Sequence, residues 1–519
     1  MATYVLRRLL LMIPTLIGIT LLVFMLVALS PGGVGAALLA SGGGLEASKA
    51  AQQQAYLEDR YGLNDPVVVQ YLRWLGRVSP IKFGARDQVT PEGNLVHPPR
   101  AMSPPVLVEW WNPAGPGAVA PPDPRADDPA PRLPPELPVA ERIARFRAAE
   151  AEYAAKRVAY VAANTELRKA LERYATEAGL VRAFTSTNQP REAVFRRSAP
   201  RRDLPTFARV QAAGAKSIAA FDEARRARRV LEAAFAAAPF PQAGVPVIPG
   251  VLGVAWPDLG VSYTKSRPVG ELIRAALPVT LLLNLIAFAI IYAIAVPSGM
   301  LAAARRGTWF DVTLGASFVA LWSVPTVWAG VMALGFLASS QYLGWFPVSG
   351  LHDKSADAFA FLPSWSDVAG GAGFQRGYLL DTLWHICLPV ACLVYGGFAI
   401  LSKQTRAAML DNFSADYVRT AKAKGVPRRD VVLRHVFRNS LLPLITLFVG
   451  LFPATLSGSV VIERIFTVPG MGSLIVEAIN LRDREIILAN TLIIAAVNLL
   501  ALLLADILYA VADPRVTYE

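Results

Sequence analysis

The chain has 519 residues, of which 54% are hydrophobic and only 17% are charged, and its formal net charge is +12 at pH 7. This composition is too apolar for an ordinary soluble enzyme and too charged for a protein that lies wholly in a membrane. We therefore expect membrane spans separated by polar segments.

Chemistry-bearing motifs are missing from the sequence. The four histidines are scattered, the two cysteines lie five residues apart in one apolar window, and neither a P-loop nor a Rossmann fingerprint is present. We expect no catalytic, cofactor-binding or metal-binding residues here. If nucleotide hydrolysis drives this protein, it takes place on another subunit.

Long windows without charge predict an all-α membrane protein. Six transmembrane helices are expected, at residues 9–29, 275–304, 312–337, 382–402, 439–462 and 486–505. The first window is about 20 residues long and has no clear cleavage site after it, so we interpret 1–30 as a retained helix rather than a signal peptide. The segment 341–347 is expected to lie at the membrane interface because of its Tyr and Trp.

Cations in the short loops predict the orientation. Arg7 and Arg8 precede the first span, Arg305 and Arg306 follow the second, and nine Lys or Arg lie between residues 403 and 438. By the positive-inside rule these segments face the cytoplasm, as do both termini. The protein is expected in the inner (cytoplasmic) membrane as a multi-pass protein, with residues 30–273 outside.

The outer region divides by composition into a helical segment at 31–80 and an insertion at 81–255. Residues 79–138 are rich in Pro, Gly and Asp, which predicts a disordered linker. Residues 139–235 predict an antiparallel helical hairpin with two apolar seams. They are Phe146, Tyr153, Tyr160, Leu167 and Tyr174, and then Phe207, Val210, Ile218, Phe221, Leu231 and Phe235.

The hairpin is rich in arginine, but Glu and Asp are interspersed among the basic residues. Such a pattern is typical of a solvated helix face. An outer compartment also argues against nucleic acid, so we expect no nucleic-acid partner.

A short basic helix is predicted at 414–425, between two spans. Ser414 is a candidate N-cap, Asp416 complements the N-terminal dipole, Lys422 and Lys424 complement the C-terminal dipole, and Gly425 suits the C′ position. The alternative is a solvated basic loop. The expected contact face for a soluble partner consists of Tyr417, Val418, Ala421 and Gly425, with Arg419 and the lysines around it.

Polar groups within the spans mark possible functional positions. They are Asn284, Asn498 and Asp506, of which Asp506 lies near the cytoplasmic end of its span, so a structural role is favoured there. Arg434 and Arg438 follow the basic helix and are expected to bind lipid phosphates or the same soluble partner.

Several strings together resemble the oligopeptide/dipeptide permease family of ABC importers, over roughly residues 1–80 and 255–519. They are Tyr4-Val5-Leu6-Arg7-Arg8-Leu9-Leu10 with Ile13-Pro14-Thr15-Leu16, Gly62-Leu63-Asn64-Asp65-Pro66, Gln70-Tyr71-Leu72-Arg73-Trp74-Leu75, Asp258-Leu259-Gly260-Val261-Ser262, Tyr417-Val418-Arg419-Thr420-Ala421-Lys422-Ala423-Lys424-Gly425, Phe466-Thr467-Val468-Pro469-Gly470-Met471-Gly472 and Asp513-Pro514-Arg515. The sequence departs from the family at Pro31-Gly32-Gly33 and in the insertion, which separates Gly76 from Asp258.

The resemblance implies a permease core at 256–519 that pairs with a second homologous permease, two cytoplasmic ABC ATPases and an extracytoplasmic solute-binding protein. ATP and Mg would bind the ATPases, and 414–425 would be the coupling helix that contacts them. The family's outer gate region maps to Glu463, Phe466, Pro469, Gly470 and Gly472, before a helix that is expected to end at residues 482–485. This predicts an importer of peptides or similar small solutes with alternating access. The alternative is a membrane-anchored scaffold or receptor that acts through its outer hairpin. A channel without energy input is disfavoured, because the capped helix would have no function in it.

Overall fold

A computed structural model describes residues 2–29, 47–62, 65–83, 86–93, 95–112, 122, 137–184, 190–248, 251–262, 264–368, 371–457 and 459–512. The strings Pro31-Gly32-Gly33 and Asp513-Pro514-Arg515 and the turn residues Leu63 and Asn64 lie outside these ranges. The chain divides into two units, Phe24–Leu259 and Met1–Val23 with Gly260–Glu519, and each is described by itself.

The unit Phe24–Leu259 is mainly helical and carries short strands. Its helices are the end of α1 (Ala2–Leu29), α2 (Ala47–Tyr61), α3 (Val67–Val78), α4 (Val108–Trp111), α5 (Val139–Glu177), α6 (Glu192–Arg197) and α7 (Pro205–Ala237). Its strands are β1 (Ile81–Phe83), β2 (Gln88–Val89), β3 (Leu95–Val96), β4 (Val245–Ile248) and β5 (Leu252–Val254). The antiparallel order β1-β5-β4 brings Ile81 opposite Val254, so the two ends of the long insertion meet in one sheet.

Helices α5 and α7 form the hairpin. Ion pairs of 2.8 Å join Lys156 to Glu223 and Glu166 to Lys216, an antiparallel register. The heptad positions Phe146, Tyr160, Leu167 and Tyr174 are buried in the seam, as are all six apolar positions expected on α7. The seven-residue repeat of the sequence therefore identifies the packed face.

The prediction that residues 79–138 form a disordered linker is wrong for the part that the structure describes. Residues 81–96 contain β1, β2 and β3, and α4 buries Trp110 and Trp111 against the hairpin. A Cβ on Gly214 would lie 2.4 Å from the Trp111 ring, so this glycine makes room for the indole. Two large aromatic side chains bury enough apolar surface to order residues 95–112, which contain two Pro-Pro pairs, whereas residues 113–121 and 123–136 lie outside the described ranges.

A buried arginine ties the hairpin to α2. Arg157, 4% exposed, contacts Glu58 at 3.0 Å and Asp59 at 2.8 Å, and the Tyr153 hydroxyl donates to Asp59 at 2.7 Å. Burial lowers the pKa of Arg157, but Asp59 and Glu58 outweigh it, so its pKa is raised. The guanidinium therefore stays charged, and the hairpin has an ionic anchor as well as an apolar seam.

The other unit contains the first part of α1 and the remaining helices. They are α8 (Val269–Ala304), α9 (Trp309–Trp322), α10 (Thr326–Met332) with a π-helical continuation (Ala333–Ala338), α11 (Gly377–Phe413), α12 (Asp416–Ala423), α13 (Arg428–Asp430) with a π-helical continuation (Val431–Phe437), α14 (Leu441–Ser457), α15 (Val460–Ile465), α16 (Met471–Asn480) and α17 (Arg484–Ala512). A 3₁₀ turn (Ala356–Ala358) and a hairpin of β6 (Ser364–Val368) and β7 (Gly371–Gln375) precede α11.

Four helices in the described residues are long and apolar enough to cross a membrane: α1, α8, α11 and α17. A fifth span is present if α9 and the helix after it are counted together. The predicted span at 439–462 falls on α14, a helix of 17 residues, which stays a prediction as a sixth span. The chain is thus mostly helical with four or five candidate spans.

The predicted span at 312–337 is not one straight helix. Its two halves meet at an angle of 81°, with Pro325 between them. Proline has no backbone N–H to donate and its ring crowds the preceding turn, so it favours a kink or a break at this point. The Tyr395 hydroxyl donates to the Val324 carbonyl at 2.9 Å and so satisfies one acceptor that the break leaves free.

Close packing of α8 on α11 forms the centre of this unit. A Cβ on Gly299 would lie 2.5 Å from the Ser402 carbonyl oxygen, and one on Gly397 would lie 2.6 Å from Ile291. Small residues at such contacts let two helix backbones approach, which is how membrane helices gain packing energy. The apolar core around Leu283, Ile291 and Ile386 lies along this contact.

Candidate functional site

The basic helix of the sequence is α12, and its C-terminus is closed by a Schellman motif. The Gly425 N–H donates to the Lys422 carbonyl at 3.0 Å, and the Val426 N–H donates to the Ala421 carbonyl at 3.2 Å. Gly425 has a φ of +76°, the left-handed conformation that the motif requires. Val426 and Ala421 lie in one apolar cluster, the hydrophobic contact that accompanies this ending.

The prediction that Ser414 is the N-cap of this helix is wrong. Ala415 occupies the cap position, without a side-chain hydrogen bond, and Ser414 instead ends α11, where its hydroxyl donates to the Asp411 carbonyl at 2.8 Å. Because α11 extends to Phe413, Ser414 is the C-cap of that helix and is not the N-cap of α12. Asp416 remains in the first turn, where a carboxylate complements the helix dipole.

The prediction that Val418 and Ala421 face a soluble partner is also wrong. Val418 is fully buried and Ala421 is 6% exposed, both packed in a cluster of this chain with Met409, Val431 and Val436. An apolar face at helical spacing covers the nearest apolar surface, and here that surface belongs to the same chain.

The exposed face of α12 is polar. It carries Asp416, Tyr417, Arg419, Thr420, Lys422, Lys424 and Gly425, all exposed to solvent. The Tyr417 hydroxyl donates to the Asn412 side chain at 2.6 Å, and Asn412 donates to the Ser440 hydroxyl at 3.1 Å. A hydrogen-bonded chain therefore joins α12 to α11 and to the segment before α14.

A groove of 670 Å³ opens beside α12. Its lining is Ala303, Ala304, Arg306, Leu410, Phe413, Ser414, Lys422, Val426, Arg428, Val431 and Val432, so it combines apolar walls with three cations. Arg428 donates to the Ala304 carbonyl at 2.8 Å, which ties the segment after α12 to the end of α8. The groove and the polar face of α12 together form the surface that a partner can contact.

The predicted outer gate residues lie around a buried carboxylate. Glu463 is 1% exposed and accepts hydrogen bonds from the Thr280 hydroxyl and the Ser473 N–H, each at 2.9 Å. Thr280 in turn accepts from the Met471 N–H at 2.8 Å. Burial raises the pKa of Glu463, although the donors Ser473 and Thr280 act in the opposite direction. The carboxyl group therefore fixes the segment 459–473 to α8.

Both glycines of this segment are needed for close approach to that carboxyl. A Cβ on Gly470 would lie 2.5 Å from the Glu463 side chain, and one on Gly472 would lie 2.8 Å from the Val460 Cα. Phe466 is buried beside Gly330 of α10, whereas Pro469 is exposed. The structure thus brings four of the five predicted residues together and leaves Pro469 at the surface.

A second carboxylate anchor escaped the sequence reasoning. Asp483 is fully buried and accepts hydrogen bonds from the Ser262 hydroxyl at 2.6 Å and the Thr264 hydroxyl at 3.1 Å. The predicted helix end at 482–485 is wrong, because α16 ends at Asn480 and α17 begins at Arg484. Residues 482–485 are all charged, and a run of charged residues is normally exposed to solvent. The burial of Asp483, Arg484 and Glu485 is therefore apparent only from the tertiary structure.

The three intramembrane polar residues have different surroundings. Asn284 is buried and its side chain donates to the Thr280 carbonyl at 2.9 Å, so it lies one helical turn from the Glu463 anchor. Asn498 is exposed on α17. Asp506 accepts from the Tyr4 hydroxyl at 2.7 Å and contacts Arg8 at 3.1 Å, so it joins α17 to α1.

The described residues contain no group of three or more His, Cys, Asp or Glu that could hold a metal ion.

Residues 295–518 match the family model described as a binding-protein-dependent transport system inner membrane component. The chain is 38% identical over 263 residues to the oligopeptide transport system permease protein AppB of Bacillus subtilis, which covers 50% of this chain and 76% of that protein.

Two proteins of Escherichia coli are similar as well. The dipeptide transport system permease protein DppB of strain K12 is 33% identical over 276 residues, which is 52% of this chain and 79% of DppB. The inner membrane ABC transporter permease protein YejB of strain O157:H7 is 34% identical over 267 residues, which is 50% of this chain and 68% of YejB.

Proposed function

The chain belongs to the family of binding-protein-dependent transport system inner membrane components, and from this premise we propose that it is the permease subunit of an ATP-driven ABC importer for peptides or similar small solutes. It is a transport subunit and not an enzyme. The proposed partners are a second homologous permease, two cytoplasmic ABC ATPases that carry ATP and Mg, and an extracytoplasmic solute-binding protein.

The observation that carries this proposal is that the two sides of α12 have different surroundings. Its apolar side is seated in the permease itself and its polar, cation-rich side is exposed next to a groove. A helix fixed in this way moves together with α11 and with the helix after it. Force applied by an ATPase to the exposed side would therefore be passed to the spans, which is the requirement for alternating access.

The affinity for the ATPase is expected to come from shape and polar contacts of the exposed face. Each exposed ion pair contributes only about 0–1 kcal/mol, so removal of one cation should have little effect, whereas reversal of its charge also introduces repulsion. Seating of partner side chains in the groove, against Phe413 and Val426, would supply the apolar contribution. At the other site, Glu463 and its glycines would hold the outer gate segment against α8.

Charge reversal on the exposed face tests the proposal. Arg419→Glu is compared with Lys354→Glu, an exposed cation in the loop before β6, so both variants change the net charge equally. Membrane insertion, copurification of the ATPases and solute uptake are measured for both. We expect Arg419→Glu to reduce copurification and uptake with normal insertion, and Lys354→Glu to leave all three unchanged. Normal uptake and copurification in Arg419→Glu would contradict the proposed contact.

The scaffold alternative predicts a different outcome. If the spans only anchored the outer hairpin, changes on the exposed face of α12 would have no effect on any property other than local stability. A measurement of permease-dependent solute uptake in these variants therefore distinguishes the importer from the scaffold.

A further inference from the structure

The hairpin carries a cationic groove near the turn that joins its two long helices. Lys169 and Arg173 of α5 and Arg209 of α7 line a cavity of 290 Å³ together with Thr206. A neighbouring cavity of 460 Å³ shares Arg173, Thr206 and Arg209. The first volume lies just below the range for small-molecule sites, which begins at about 300 Å³, and the second lies within it.

The acidic residues in this groove are already engaged. Glu166 forms an ion pair of 2.8 Å with Lys216, and Glu177 accepts a hydrogen bond from the Thr206 hydroxyl. Among the residues that the structure describes, no carboxylate forms an ion pair with Lys169, Arg173 or Arg209. Glu166 and Glu177 line the two cavities as well, but Lys216 neutralises Glu166, so positive charge remains in excess around the concavity.

The surrounding surface adds to the positive potential. Residues 168–209 contain ten Lys or Arg against four Asp or Glu, a formal net charge of +6. Arg182, Arg191, Arg197 and Arg202 lie exposed in the segment between the two helices. Charges of one sign around a concavity concentrate the opposite ion there.

The platform under these cations is rigid. Trp110 packs edge to face on Tyr174 and Phe195, and its indole N–H donates to the Ser198 carbonyl at 2.9 Å. The Tyr174 hydroxyl accepts from the Arg201 N–H at 2.7 Å. Arg173 and Arg209 thus project from helices that are held together by an aromatic core. Less conformational entropy is lost when cations on such a scaffold bind an anion.

We propose that this groove binds a phosphate-bearing anion. Arginine presents parallel N–H donors that match the oxygens of a phosphate, and lysine adds a point charge. A concave site lined by three cations suits a compact group with more than one negative charge, whereas an acidic protein surface would need a broader and flatter complement. The site lies on the hairpin and is independent of the proposed transport function.

The test is a direct binding measurement on the full chain in phosphatidylcholine nanodiscs. The probes are inorganic phosphate and glucose 6-phosphate, followed by flotation of the same protein with vesicles of phosphatidylcholine or of phosphatidylcholine with phosphatidylglycerol. We expect saturable binding of a phosphate probe that weakens about tenfold or more in the variant Arg173→Gln/Arg209→Gln, because charge-assisted hydrogen bonds are lost.

The matched control is Arg145→Gln/Lys156→Gln, which removes two exposed cations from the same helix away from the groove. Circular dichroism and size exclusion verify that both variants fold. Competition between glucose 6-phosphate and the anionic vesicles would show that both bind this groove through phosphate and would support a lipid headgroup as a source. Capture by anionic vesicles without such competition would place the lipid contact on another surface and would overturn a lipid source for this groove. Equal weakening in the control, equal competition by polyaspartate, or no binding of any phosphate probe would overturn the proposal.

Discussion

Asp311 and Arg406 form a two-pronged ion pair, with the guanidinium Nε and Nη2 atoms 2.7 and 2.8 Å from the two carboxylate oxygens. Asp311 lies in the first turn of α9 and also accepts from the Gly307 N–H at 3.0 Å. Arg406 lies on α11, seven residues before that helix ends and leads into α12. The pair therefore links the helix that carries α12 to the first half of the bent helix pair.

We expect Asp311→Asn to uncouple ATP hydrolysis from uptake. The side chain of Asp311 is 7% exposed, and loss of its charge leaves a guanidinium without its partner, which for a buried pair costs about 3–5 kcal/mol and less here because Arg406 is 35% exposed. Thermal unfolding in detergent and the ratio of ATPase activity to uptake are the measurements. Asp311→Arg combined with Arg406→Asp serves as the control and should regain part of the stability. A normal ratio in Asp311→Asn would show that the pair has no role in coupling.

Gly425 allows a test of the α12 ending that separates backbone strain from packing. No neighbouring atom in the part of the chain that the structure describes lies within 4 Å of the position of a Cβ on Gly425, so substitution is expected to act through the left-handed φ. We expect Gly425→Ala to cost about 1 kcal/mol, Gly425→Val to cost more, and Gly425→Asn to be the mildest, because Asn tolerates this conformation. Uptake and hydrogen exchange of α12 should follow that order. An equal effect of all three variants would indicate a packing role instead.

Gly472 tests the proposed outer gate segment, which is held by Glu463. Gly472→Ala would place a Cβ 2.8 Å from the Val460 backbone, so the chain at residue 472 must shift away from α15. Overpacking of this kind costs about 1–3 kcal/mol. We expect lower thermal stability and reduced uptake with normal ATPase copurification. The control is Gly396→Ala on α11, where no neighbouring atom of the described residues lies within 4 Å of the Cβ position, and it should be neutral or stabilising.

Removal of the insertion tests its independence from the membrane fold. The pairing of Ile81 with Val254 and the 2.9 Å hydrogen bond from the Ala255 N–H to the Pro80 carbonyl hold its two ends together. We expect a deletion of residues 82–248, with a short flexible join, to insert into the membrane normally, since Glu58 and Asp59 become solvated when Arg157 leaves.

Membrane insertion and uptake of the deletion variant are assayed separately. Reduced uptake with normal insertion would assign the insertion a role in transport rather than in folding. Loss of insertion would contradict the predicted boundary between the insertion and the permease core.

The sequence by itself determined the features that depend on local pattern. Charge-free windows located α1, α8, α11 and α17, the seven-residue repeat identified the hairpin seam, and Gly425 marked the end of α12. Each of these follows from periodicity or from the conformation of a single residue, which short-range physics decides.

Only the tertiary structure decided which partner a local pattern finds. The apolar face of α12 is buried in its own chain, Trp110 and Trp111 order residues 95–112, and charged residues at 483–485 are buried. In each case the sequence contains a group that needs a partner, either an apolar surface that must be buried or a charge that must be paired. The group that satisfies it lies up to hundreds of residues away, as Ser262 does for Asp483, and only the folded chain brings the two together.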